Sequence, residues 1–286
     1  MSADSPAVGV RGARGMADGT AFTVYGAGNA VVLVHGVGMT QAVWGPQIAS
    51  LSQTHQVIVY DMLGHGDSHD PRPDAALVDF AEQLAALLDH LQIDSAAVVG
   101  HSMGALVALD FALRHPRRTQ RIVALNAVFM RSPEQKSAVL DRVRALRATG
   151  ITSTLDATVA RWFGDPVPAD LQASAGLVKD MLTHVHPAGY ATAYGIFADS
   201  DTVHEDRLPM LRMPALFMTG EFDPNSTPAM SLAMAQLAPK GAFKMLEGER
   251  HMLTMTSADT VNNCLRRFLA GAICGHNPGP VPDAGQ

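Results

Sequence analysis

The run from Ala96 to Gly104 constrains this chain more than any other. It reads Ala-Ala-Val-Val-Gly-His-Ser-Met-Gly. Its apolar start predicts a short buried strand, and the pattern from Ala105 to Arg114 predicts a helix directly after it. The chain must therefore turn abruptly at Ser102. Gly-x-Ser-x-Gly at such a turn holds the serine in a strained backbone conformation, with its hydroxyl projecting above the sheet. Gly100 and Gly104 fit because side chains there would crowd neighbouring backbone at a tight strand-helix crossing. At ordinary glycine and serine usage the pentapeptide arises by chance in roughly one chain of this length in ten. Its weight comes from the flanking strand and helix and from two partners downstream.

The rest of the chain alternates in the same way. Asp18-Gly19 is a turn signal, followed by a strand over Ala21 to Tyr25. Val31 to Val34 and Val57 to Tyr60 are continuous apolar runs of the kind found in central parallel strands. Between Phe80 and Leu91, Phe80, Leu84, Leu87, Leu88 and Leu91 lay one stripe along a helix. Further strands are predicted over Arg121 to Asn126, Pro214 to Thr219 and Ala242 to Leu246, and a last helix over Ala258 to Leu269. The fold class is α/β: a mostly parallel central sheet with helices on both faces.

Residues 131–208 break the alternation and read as several helices. Ser132-Pro133-Glu134-Gln135 is a capping box with proline at the first helical position, and Gly150 is a stop. Helical patterns follow over Leu155 to Phe163, Ala169 to Val185 and Ala188 to Ala198. A helical insertion between core strands is expected to act as a lid. The expected organisation is a flexible N-terminus over 1–17, with a frayed edge strand at Val8 to Arg11. A core follows over 18–130 and 209–270, interrupted by the lid. A glycine- and proline-rich tail over 271–286 is expected to be disordered.

Bulk properties exclude several classes. The net charge of −6, without a lysine or arginine run, gives no reason to expect nucleic acid or a membrane surface as partner. The apolar window Ala96 to Leu113 contains His101, Ser102 and Asp110 and changes period midway, which is a strand and helix rather than a membrane span. The first twenty residues lack an apolar central region, so the expectation is a cytoplasmic protein. Cys264 and Cys274 are too few for a disulfide framework and lack metal-ligand spacing, so they read as buried or incidental thiols. No dinucleotide or phosphate loop and no clustered metal ligands occur, so neither cofactor nor metal is expected. Oligomeric state is left open.

Serine is a poor nucleophile at neutral pH and requires an adjacent base, which itself requires an orienting group. Asp223 follows the predicted strand ending at Thr219, and His251 follows the one ending at Leu246. Both fall in loops at the carboxyl ends of strands, the edge where open α/β sheets carry their sites. Glu221 is the rival acid, and Asn126, at the end of the strand that follows the Ala105 to Arg114 helix, cannot serve as one. Of the 12 histidines, His35 and His65 sit in glycine-flanked turns at the same edge, and His184 and His186 are too close in sequence to share a helix face.

Taken together, these pieces resemble the α/β-hydrolase superfamily over roughly residues 18–269. The resemblance rests on His35-Gly36-Val37-Gly38, the segment from Asp61 to Ser68, Gly100-His101-Ser102-Met103-Gly104, Gly220-Glu221-Phe222-Asp223 and His251. It implies a serine hydrolase with Ser102, Asp223 and His251 as its catalytic triad, and an oxyanion hole from the backbone N–H groups of Val37 and Met103. Within the superfamily the chain looks most like 3-oxoadipate enol-lactonase and related catabolic hydrolases, and Arg161-Trp162-Phe163 resembles a segment of the enol-lactonases. The implied substrate is a small carboxylic ester or lactone in a largely apolar pocket. Amide or carbon–carbon bond cleavage is the alternative, and a non-catalytic binding protein on the same scaffold the rival class. His35, Trp162, Phe163 and Arg250 are candidate substrate contacts. Arg250 stands where the family usually has glycine before its histidine.

Overall fold

The computed structural model describes residues 11–279. Its strands are β1 (Ala13–Ala17), β2 (Thr20–Tyr25), β3 (Asn29–Val34), β4 (His55–Tyr60), β5 (Ala96–His101), β6 (Thr119–Leu125), β7 (Ala215–Gly220) and β8 (Gly241–Leu246). They form one sheet in the order β1-β2-β4-β3-β5-β6-β7-β8. Pairing is antiparallel for β1/β2 and β2/β4 and parallel from β4 onward. The β1/β2 hairpin turns on Asp18 and Gly19, both at positive φ, as the Asp-Gly pair demands.

β5 and β7 are buried at every position, which is what an unbroken apolar run requires when helices cover both faces. Helices α1 (Gly45–Leu51), α2 (Leu77–His90), α3 (Met103–Arg114), α8 (Pro228–Leu237), the single turn α9 (Leu253–Thr256) and α10 (Ala258–Leu269) surround the sheet. α2 packs on α3, α1 on α10, and α8 on β7 and β8. The expected stripe on α2 is buried at Phe80, Leu84, Leu87 and Leu88. Each such side chain contributes roughly 1.5–3 kcal/mol on burial, which is what fixes the helix to the body.

Topology decides where a site can form. After β3 the chain adds β4 on one side, then returns to lay β5 on the other side of β3. Connections leaving β3 and β5 diverge, and a crevice opens beyond their carboxyl ends. The loop after β3 and the turn at Ser102 both lie at that point.

Between β6 and β7 stand α4 (Pro133–Thr149), α5 (Leu155–Phe163), α6 (Gln172–Thr183) and α7 (Pro187–Asp199). α4 begins at the capping box: Ser132 Oγ accepts from the Gln135 N–H at 3.3 Å, and Gln135 Oε1 accepts from the Ser132 N–H at 2.9 Å. It ends at Gly150, whose φ of 73° favours glycine.

Several expectations are corrected. Ala13–Ala17, expected to be loose, is an edge strand pinned to β2. The frayed strand at Val8 to Arg11 lies, Arg11 apart, outside the described residues. Beyond α10, the described part of the segment expected to be disordered, residues 271–279, returns to the sheet: the Phe243 N–H donates to the His276 carbonyl at 2.8 Å and the His276 N–H to the Phe243 carbonyl at 3.0 Å. That return brings Cys274 to Cys264 with 5.5 Å between Cα atoms, and the two are joined in a disulfide rather than being free thiols. Among the described residues no helix is long and apolar enough to cross a membrane.

Candidate active site

Ser102, Asp223 and His251 each stand just beyond the carboxyl end of a strand. Ser102 ends β5 and begins α3 with φ 56° and ψ −118°. A non-glycine residue held there costs about 1–3 kcal/mol and persists only where its surroundings over-determine it. They do so here. The Ser102 N–H donates to the Leu125 carbonyl at 2.8 Å, and its carbonyl accepts from the Ala105 N–H at 3.0 Å. A Cβ on Gly100 would strike the Gly104 carbonyl, and one on Gly104 the Val34 carbonyl. The start of α3 is thus pressed directly on β3 and β5, and only glycine allows it.

Asp223 is buried in the loop after β7. Its Oδ1 accepts from the backbone N–H groups of Asn225 (2.8 Å) and Ser226 (3.2 Å). Its Oδ2 lies 2.7 Å from His251 Nδ1 and accepts from Asn126 Nδ2, also at 2.7 Å. Burial alone would raise this carboxyl. The His251 charge, its hydrogen bond and the donors from Asn126 and Asn225 outweigh burial and hold it below the ordinary carboxylate range. With Nδ1–H committed to Asp223, the free nitrogen of the His251 ring is Nε2.

The His251 backbone is itself held, because its carbonyl lies 2.8 Å from His101 Nε2. Burial, then the neighbouring His251, push the His101 ring down to about 3, so it stays neutral. Trp162 on α5 covers the His251 ring from above, with centroids 5.4 Å apart and planes 30° from parallel.

The loop after β3 is braced by two neutral histidines. His35 Nδ1–H donates to the Gly36 carbonyl at 2.8 Å, and Nε2 accepts from the Met62 N–H at 2.9 Å. His65 Nδ1–H donates to the Leu63 carbonyl at 2.9 Å, and Nε2 accepts from the Gly38 N–H at 2.9 Å. Among the described residues, the N–H groups of Val37 and Met103 have no acceptor. A Cβ on Gly36 would stand 3.3 Å from the Ser102 Cβ, so this loop lies against the serine.

Ser102, His251 and Val37 line one cavity of about 140 Å³, together with Trp162, Tyr194 and Phe197 from the insertion. Arg131, Gln135, Ala138, Arg142, Arg161, Pro224 and Asn225 complete its walls. Most of the lining surface is apolar, as expected, but three guanidinium groups that were not expected also line it. Three expected substrate contacts stand elsewhere. His35 is fully buried, with both ring nitrogens committed to backbone. Phe163, next to Trp162 on α5, is not among the residues that line the cavity and packs in the core. Arg250 lies half-buried off the cavity wall, its Nε beside Gly164. The rival acid Glu221 accepts from the Gly248 N–H, away from His251.

Arg131 and Arg142 were not legible as site residues. Gln135, Ala138 and Arg142 do recur at helical spacing beside the buried stripe Val139, Val143, Leu146, but nothing marks that face as cavity rather than solvent.

Comparison with known proteins agrees with this architecture. The family profile for the alpha/beta hydrolase fold matches residues 29–258. The chain is 36% identical over 244 residues to the (E)-2-((N-methylformamido)methylene)succinate hydrolase of Acinetobacter baylyi, covering 85% of this chain and 91% of that protein. Among solved structures, the enol-lactonase from Burkholderia xenovorans LB400 superposes with a TM-score of 0.81 at 26% identity, covering 90% of this chain and all of that one. A malate-bound thermophilic esterase from Thermogutta terrifontis gives the same score and identity over 91% and 98% of the two chains. The profile spans most of the sequence and includes the turn at Ser102 as well as Asp223 and His251, and the chain belongs to the α/β-hydrolase family.

Proposed function

We propose that the chain is a serine hydrolase that cleaves a small carboxylic ester or lactone through an acyl-enzyme. Ser102 Oγ attacks the carbonyl carbon while His251 Nε2 takes its proton. Asp223 fixes the ring tautomer through Nδ1–H and stabilises the imidazolium that forms. The tetrahedral oxyanion is received by the free N–H groups of Met103 and Val37, each worth about 3 kcal/mol of transition-state stabilisation. His251 then protonates the leaving group, and water releases the acid by the reverse sequence. Residues 131–208 act as the lid, with Trp162 excluding water from the face of the base.

One observation carries this reading: Ser102 and His251 open on one cavity while Asp223 bonds the far nitrogen of the same imidazole. A second reading, cleavage of a C–N bond by the same residues, is favoured by the 36% relative, whose name denotes a substituted formamide of a dicarboxylic acid. The test is labelling with a fluorophosphonate and localisation of the adduct by peptide mass spectrometry. Stoichiometric modification of Ser102, absent in Ser102→Ala, is expected; an unlabelled protein inert to p-nitrophenyl esters would refute the proposal. Relative kcat/KM on esters, lactones and N-acyl compounds of matched acyl group then separates the two readings.

A further inference from the structure

The three cavity arginines are not equivalent. Arg131 is already neutralised: its Nη1 lies 3.1 Å from Asp201 Oδ1, both side chains are 4% exposed, and its guanidinium stacks on the Phe197 ring at 4.7 Å. Asp201 also holds Lys136 at 2.8 Å. Arg142 and Arg161 have no such partner. Arg142 Nε donates to the Tyr194 hydroxyl at 3.2 Å, and Arg161 Nη2 to the Thr158 hydroxyl at 3.3 Å. Among the described residues neither has a carboxylate within 4.0 Å, and no aspartate or glutamate lines the cavity. Arg161 Nε and the Trp162 indole N–H are both buried without an acceptor.

Two adjoining cations, each partly withdrawn from water and lacking a counter-ion, are an unfavourable arrangement for the protein without a ligand. Burial first, and the neighbouring Arg142 second, pull the Arg161 guanidinium below its ordinary value. An anion that enters relieves both the repulsion and the unpaired donors. A guanidinium fork matches a carboxylate bidentately, so the ligand chemistry that fits is planar and carboxylic.

We propose that Arg142 on α4 and Arg161 on α5 form a carboxylate-binding subsite beside Ser102, so that the acid derivative cleaved there carries at least one carboxylate of its own. This rests on the hydrolytic reading for the identity of the bond cleaved, but the subsite itself is read by binding. Selectivity is thus built into the insertion, while the sheet edge supplies the chemistry.

The experiment is calorimetric titration of Ser102→Ala protein with succinate and with its neutral isostere succinamide. Succinate is expected to bind at least about 100-fold more tightly, and to weaken as salt is raised. In the same background Arg142→Gln and Arg161→Gln should each lower succinate affinity about 10- to 50-fold while leaving succinamide unchanged. Arg161→Lys should restore only part of the loss, because it returns the charge without the fork. Thermal melts of each variant separate lost recognition from lost folding. Equal affinity for the two ligands, no succinate binding up to about 10 mM, or folded arginine variants that keep parental affinity would overturn the proposal. None of these outcomes bears on fluorophosphonate labelling of Ser102, so failure of the subsite and failure of the hydrolytic reading are distinguishable.

Discussion

Three buried histidines make the stability of this protein acid-sensitive from a pH above the ordinary carboxylate range. His35 and His65 each use one ring nitrogen as acceptor for a backbone N–H, so protonation requires breaking a hydrogen bond that holds the loop carrying Val37. His101 is fully enclosed beside His251. Burial first, and neighbouring histidines second for His65 and His101, lower the three to about 4, 3 and 3 from an ordinary 6.5. In the unfolded chain each ring takes up a proton near pH 6.5, whereas in the folded chain it does not until pH 4 or below. Between those values the unfolded state binds more protons, so stability is complete above pH 6.5 and falls as the pH drops towards 4. Integrating from pH 7.5 to 5.0 gives a loss of about 2 kcal/mol per ring, or about 6 kcal/mol for the three. That compares with about 5–15 kcal/mol for the whole of a typical domain's stability. Asp110, Asp201 and Asp223 lie below the usual carboxylate value and lose their contributions only at lower pH. Asp61, raised by burial, runs the other way. Urea unfolding followed by tryptophan fluorescence across this range should show the midpoint falling steeply below pH 6.5. His65→Gln, whose amide can donate to Leu63 and accept from Gly38, should remove about one third of the fall. An unfolding free energy that is the same at pH 7.5 and 5.0, or a variant with the parental slope, would refute the reasoning.

Ser102→Ala should lower kcat by at least about 10⁴-fold without lowering the melting temperature, measured on a p-nitrophenyl ester and by calorimetry. Gly104→Ala drives a Cβ into the Val34 carbonyl and should abolish soluble expression. Gly150→Ala, which meets nothing within 4 Å but sits at φ 73°, should cost only about 1 kcal/mol by urea denaturation. Cys264→Ser opens a loop of ten residues and should cost about 2.7 kcal/mol relative to the oxidised protein. Intact mass should show the oxidised chain two hydrogens lighter than the reduced one, and an unchanged mass on reduction would remove the disulfide from the account.

The strands and the turn at Ser102 were legible because their signals are mostly local. An unbroken apolar run has one physical reading in a sheet covered on both faces, and Gly100 is demanded by a contact within the same turn, while Gly104 is demanded by the Val34 carbonyl of β3. The capping box at Ser132 and the stop at Gly150 were legible for the same reason. The end of the chain was not. Its attachment depends on His276 meeting Phe243 and Cys274 meeting Cys264, and a glycine- and proline-rich composition describes intrinsic preference without revealing a docking edge. α8 was overlooked although Thr227 accepts from the Met230 N–H and Pro228 stands at the first helical position. The role of Asn126 was half legible. Reading it as unable to be the acid is sound, yet its amide donates to the same Asp223 oxygen that meets His251, a contact 97 residues apart in sequence. A second carboxylate there would face the first at 2.7 Å, so the position suits a donor once Asp223 carries the charge.

The cationic part of the pocket was not legible for a related reason. Helical periodicity separates a buried stripe from the remainder, but a helix over a cavity has three environments rather than two. Val139, Val143 and Leu146 define the stripe on α4, and Arg142 flanks it, where a long cationic side chain ordinarily reaches water. Here the adjoining surface is the cavity above Ser102, and α5 brings Arg161 and Trp162 to it from the other side. Neither helix alone carries the information, because the subsite exists only where their faces meet. Reaction type in this chain is written in short motifs at strand ends, each checked by its own sterics. Substrate preference, on the proposed reading, is written in the relative placement of two helices, one of which also lays Trp162 over the His251 ring.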